Sequence, residues 1–117
     1  MNNKLILTTL LFSNLLFAQD TQFFCSDTSE YIVEDKAQKS IYRNCVRDGM
    51  TYWYKDNGSV KSKVNFTKGK ENGLYTSYYD NGAVKITVNY TNGEKDGIQK
   101  NYYDNKVLGS VVMYDNG

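Results

Sequence analysis

Carboxylates recur in this chain beside asparagine at a fixed interval, in Asp56-Asn57-Gly58, Asp80-Asn81-Gly82 and Asp104-Asn105-Lys106. Clustered side-chain oxygens are the raw material of a calcium site. The helix–loop–helix calcium loop needs ligands at alternating positions over about twelve residues and a closing Glu. Here Asp and Asn are adjacent and no such Glu comes after them. The Gly-Gly-x-Gly-x-Asp pattern of calcium-binding β-helices is absent as well. The triplets read as turns, and no metal is expected.

Catalytic machinery is not evident either. The chain has no histidine, which removes the commonest general base and the usual zinc ligand sets. No Gly-x-Ser-x-Gly nucleophile motif appears, and no phosphate-cradling glycine loop precedes a helix. The expectation is a protein that is not an enzyme and takes no cofactor.

Two cysteines, Cys25 and Cys45, carry the remaining covalent chemistry. In an exported chain an even pair suggests a disulfide. It would staple the N-terminal segment to the first strand of the C-terminal array and contribute roughly 3 kcal/mol in the chain-entropy picture. A reduced pair and a redox site are the alternatives, although no Cys-x-x-Cys is present.

The elements that must carry these residues are set by a repeat. Gly49, Gly73 and Gly97 fall 24 residues apart, as do Gly69, Gly93 and Gly117, and as do Phe66, Tyr90 and Tyr114. Residues 49–72 and 73–96 agree at eleven of 24 positions without a gap. Asn-Gly between strand-like runs predicts a hairpin with a primed turn, which Asp56, Asp80 and Asp104 can steady by bonding main chain two residues on. The second junction, 67–73, reads as a longer and looser turn. No proline interrupts the ladder.

An even repeat keeps every unit in one phase of the two-residue strand period. Even positions, such as Tyr52, Val64, Phe66, Val88 and Tyr90, read as the apolar face; Tyr54, Tyr78 and Tyr102 would ladder across it. Odd positions, such as Lys61, Lys63, Lys85 and Thr87, read as the polar face. Trp53, Tyr75, Tyr79 and Tyr103 then stand out as aromatics pointing away from the core. Exposed Trp and Tyr supply binding hot spots, so these four form the candidate binding face.

The pattern Gly-x-x-x-x-Tyr-(Tyr/Lys)-Asp-Asn-Gly-x-Val-Lys, then Tyr/Phe-x-x-Gly-x-x-(Asn/Asp)-Gly, closely resembles the MORN-repeat variant over about residues 41–117. The resemblance implies an all-β, elongated and twisted antiparallel sheet of tandem 24-residue β-hairpins. Bacterial proteins of this variant are commonly filed as antitoxin components of toxin–antitoxin systems, which implies a cognate toxin as partner. A phospholipid or membrane-surface role is proposed for MORN repeats generally. Cys45 at a glycine position and Lys106 at the turn glycine depart from the pattern and suggest atypical terminal units.

Before the array, residues 1–18 read as a secretory signal, with Lys4 ahead of the apolar run 5–17 and Ala18 at the cleavage point. That places the protein in the periplasm, envelope or extracellular space. Residues 19–40 read as a cap segment, with short strands at 31–33 and 41–43 and room for a short helix at 35–39. Cleavage leaves 13 basic residues against 13 acidic ones. Without a basic excess, no nucleic-acid partner is expected, and an anionic membrane is mildly disfavoured. The chain ends on a valine-rich strand, Val107 to Met113, which is either an exposed edge prone to pairing or the mark of a truncated frame. The function expected is recognition of another macromolecule, a toxin among the candidates, with an envelope scaffold, self-association or membrane-surface binding as the alternatives.

Overall fold

The structure is a computed structural model that describes residues 5–8 and 30–115. Most of residues 1–18, the expected export signal, and all of 19–29, Cys25 included, lie outside the described residues. Among the described residues there is no helix. Eleven strands form one sheet: β1 (Leu5–Thr8), β2 (Glu30–Glu34), β3 (Gln38–Arg43), β4 (Val46–Arg47), β5 (Gly49–Tyr54), β6 (Val60–Thr67), β7 (Lys70–Glu71), β8 (Gly73–Tyr78), β9 (Val84–Thr91), β10 (Glu94–Tyr102) and β11 (Leu108–Tyr114). Their order is β1-β2-β3-β5-β6-β8-β9-β10-β11, with β4 beside β3 and β7 beside β6. Every pairing is antiparallel except β1 with β2, which is parallel and aligns Leu5 with Tyr31.

The hairpin turns reverse the two expectations made for them. At Asp-Asn-Gly, Gly58 N donates to Lys55 O and Gly82 N to Tyr79 O. Only the glycine of each triplet has positive φ, +84° at Gly58 and +81° at Gly82. This is an ordinary turn closed by a left-handed glycine, the form that carries a bulge. Asn, not Asp, does the bonding two residues on: the oxygens of Asn57, Asn81 and Asn105 accept from the amides of Ser59, Ala83 and Val107. The primed turns sit at the other junctions. Lys68-Gly69 and Asn92-Gly93 both have φ > 0 at each residue, between Thr67↔Lys70 and Thr91↔Glu94. These junctions are tight two-residue turns; the length that looked loose is the short ladder of β7.

The bulges also overturn the parity. Thr51 pairs with Val64 and Trp53 with Ser62, yet Tyr54 pairs with Val60, which leaves Lys61 without a ladder partner. One extra residue flips the phase of β5 relative to β6. The same step recurs at Lys85, opposite β8, and at Gly109, opposite β10. One row therefore runs Gln38, Trp53, Ser62, Ser77, Ile86, Asn101, Ser110, and its opposite-face neighbour runs Lys39, Tyr52, Lys63, Thr76, Thr87, Lys100, Val111. Even positions of β6 and β9 share a face with odd positions of β5 and β8.

That shared face holds most of the core. Val64, Phe66 and Val88 are buried on it beside Ser40, Thr51, Ser62 and Ser77. Among the described residues the sheet is a single layer, and the small hydroxyl side chains fill this thin core. Gly49, at φ +132°, faces Phe66 in the ladder, and a Cβ there would stand 3.1 Å from Ile41 Cβ. The Arg47 guanidinium lies 4.7 Å from the Phe66 ring centre and 5.8 Å from that of Tyr42, and Tyr31 stacks on Tyr42 at 5.1 Å. The first hairpin turns at Asp35, whose Oδ1 accepts from the amides of Ala37 and Gln38; this Asp-capped turn takes the place of the short helix at 35–39. Cys45 occupies a left-handed position, φ +66°, where later units have glycine, and is disulfide-bonded.

Candidate functional site

The four aromatics expected to point outward divide into three situations. Trp53 and Tyr75 are on the core-bearing face, because the bulges flip their strands. Trp53 packs on Phe66 at 6.4 Å between ring centres and Tyr75 meets Tyr90 edge-on at 6.2 Å. Both stay half-buried, and both line an open groove of about 460 Å³ with Ala37, Tyr54, Lys61 and Ser62. The ring contacts lie on these pairs and not on a Tyr54–Tyr78–Tyr102 ladder.

Tyr79 belongs to the turn. Its hydroxyl donates to Tyr102 O at 2.7 Å, and Lys85 Nζ lies 5.4 Å from its ring centre. It lines a second cleft of about 460 Å³ with Tyr54, Lys55, Asp56, Lys61, Tyr78, Asp80 and Lys85. Tyr103 is its equivalent one repeat on. With no further turn to reach among the described residues, it is exposed and lies against Gly109.

Successive turns are joined by this repeat position. Lys55 Nζ reaches Asp80 Oδ1 at 2.8 Å, and beside the Tyr79 bond Asn81 Nδ2 donates to Asp104 O at 2.9 Å. The Asp80 carboxyl is held below its ordinary value by the Lys55 hydrogen bond first and the Lys55 charge second.

The two clefts adjoin through Tyr54 and Lys61, which line both. The structure thus joins Trp53, Tyr75 and Tyr79 into one aromatic trough edged by lysines and sets Tyr103 apart. Sequence reasoning missed Lys61, Lys85 and Tyr54 as site residues. The signal for the lysines was their place one residue after the valine that comes after each turn, which the bulge turns into a site edge. Among the described residues no group of three or more His, Cys, Asp or Glu side chains could hold a metal ion. What the trough offers is flat aromatic surface beside lysines and the carboxylates of Asp56 and Asp80, a surface for contact.

Residues 47–68, 71–92 and 95–116 each match the MORN repeat variant. No curated protein matches the chain. The three matches together span more than half of the sequence, in register with the three hairpins, and the protein belongs to the MORN repeat variant family.

Proposed function

We propose that the protein is a recognition module that binds a protein partner in the aromatic and lysine-edged trough, and that the partner is a cognate toxin which it neutralises. MORN repeats generally serve as non-catalytic modules that bind protein or membrane. The observation that carries the protein reading is the pair of adjoining clefts walled by Trp53, Tyr54, Tyr75 and Tyr79. Trp and Tyr give large contact area at low entropic cost and dominate binding energy where they line a pocket. Lys61 and Lys85 stand at the rim with Asp56 and Asp80, so charged groups of both signs set the partner's orientation more than its affinity. With residues 1–18 acting as an export signal, the partner is met in the envelope or outside the cell. That location suits immunity against an incoming or envelope-acting toxin.

The test is crosslinking capture from the native envelope fraction with the full chain, beside Lys61→Glu and Tyr54→Ser. Neither residue is buried, so both variants should fold. A single stoichiometric protein that is lost with either variant, and that poisons cells when expressed alone, supports the reading. Capture of anionic vesicles in place of a protein would overturn it in favour of a membrane-surface role. Capture of the chain alone would overturn it in favour of a scaffold.

A further inference from the structure

The last strand breaks the repeat on one face in one direction. The positions occupied by Lys63 and Asn65 in β6, and by Thr87 and Asn89 in β9, hold Val111 and Met113 in β11. Lys61 and Lys85 become Gly109. No charged side chain occurs from Val107 to Tyr114. Val111 is 52 % exposed and Met113 68 %, while Val112 on the core-bearing face is 40 % exposed. Its equivalents Val64 and Val88 are each 1 % exposed. Among the described residues β10 is the strand that β11 pairs with, and its outer edge carries none. Edge strands are normally guarded by Lys, Pro or a charge that blocks pairing, and β11 carries none of these.

We propose that β11 pairs antiparallel with β11 of a second copy of this chain, about a two-fold axis at Val111. An interface of that symmetry sets each residue against its own kind or its mirror position. A lysine at the axis would face a lysine. That restriction does not apply to β6, where Lys63 meets Thr76 of the next unit. Another hairpin on β11 would therefore tolerate Lys or Thr at 111 and Asn at 113, as β6 and β9 carry, and does not account for their replacement. A two-fold does. Val111 meets Val111 of the second copy, Ser110 meets Val112, and Gly109 meets Met113. Gly109 has Tyr103 over it, with the ring 3.0 Å from where a Cβ would stand. The incoming methionine thioether then lies against that ring edge, a favourable contact. Main-chain hydrogen bonds across the new ladder supply the rest.

This surface lies apart from the trough and is tested separately, by sedimentation equilibrium of the full chain over a range of concentrations. The wild type is expected to be a dimer. Val111→Lys and Val111→Glu are each expected to be monomers with unchanged circular dichroism, since the equivalent residue in β6 is Lys63. Mixing the two in equal amounts is expected to restore a dimer, because the axis then holds an ion pair. Met113→Asn, which restores the residue of β6 and β9, is expected to weaken the dimer at least tenfold and serves if the charged variants fail to fold. A wild-type monomer at every concentration would overturn the proposal. So would a Val111→Lys dimer as tight as wild type, or folded Lys and Glu variants that do not recombine.

Discussion

The Tyr79 hydroxyl donates a 2.7 Å hydrogen bond to the main-chain carbonyl of Tyr102, one repeat further along the sheet. A side chain just past the end of β8 thereby stitches its turn to the last residue of β10. Tyr103, at the same place in the next unit, is 58 % exposed. A part-buried hydrogen bond of this kind is worth about 1 kcal/mol net. Tyr79→Phe is expected to lower unfolding stability by about that much in urea titration, and Tyr103→Phe by close to nothing. Equal losses would show that the Tyr79 bond does not link the units.

The hairpins were legible because Asn, Gly and Asp obey local rules, and the period of 24 carried those rules along the chain. Face assignment was not legible. It depends on whether Lys61 and Lys85 are paired or bulged, and a bulge is decided by how the twisted strands meet rather than by the lysine itself. Once each is taken as a bulge, Trp53 and Tyr75 move from the outside to the core-bearing face. The roles of Asp56 and Asn57 were likewise interchangeable on paper, since both side chains can bond main chain two residues on. Position within the turn decides: Asn57 is two residues before the amide of Ser59 that needs an acceptor. The outward valine and methionine of β11 were visible in the sequence, but their meaning needed the contrast with Lys63 and Asn65 on the same face.

Core depth differs along the array, and substitutions should report it. Val64 and Val88 are packed by strands on both sides, whereas among the described residues Val112 has a neighbouring strand on one side. Truncating a fully buried branched side chain removes its transfer energy and leaves a cavity. Val64→Ala or Val88→Ala is expected to cost about 2 kcal/mol. Val112→Ala in the monomeric Val111→Lys background is expected to cost less than half as much. Denaturant midpoints at constant slope would measure both. A Val112 loss as large as that of Val64 would mean that β11 is covered within the monomer.

Lys106 takes φ +70° where the two earlier turns have Gly58 and Gly82. A side chain in the left-handed region is strained by its own Cβ, and neither glycine equivalent has an atom within 4 Å of where a Cβ would stand. Strain is thus intrinsic to the backbone and not a matter of crowding. Lys106→Gly is expected to raise stability by about 1 kcal/mol after glycine's extra chain entropy is counted. Gly82→Ala is expected to lower it by a similar amount. A thermal melt of the two variants decides the matter, and a destabilised Lys106→Gly would show that the lysine side chain contributes more than its backbone costs.

The pair that joins the first two turns gives a pH dependence of definite sign. Lys55 Nζ donates to Asp80 Oδ1 at 2.8 Å and draws the Asp80 carboxyl below its ordinary value of 3.8, with Lys85 adding a weaker pull. The folded state therefore holds the proton less tightly than the unfolded chain. The stability due to this pair is present above the unfolded value, and it fades as pH falls through the lower folded one. Asp80 is 97 % exposed and Lys55 only 16 %, so the carboxylate comes to the lysine and salt should screen it. Carbon-detected NMR titration is expected to place the Asp80 carboxyl below its ordinary value of 3.8 in the wild type. In Lys55→Met its value should rise toward the ordinary one, and in high salt part of the way. If Asp80 titrates at the ordinary carboxylate value in the wild type, the turn-to-turn ion pair is absent in solution, and the first junction rests on its strands alone.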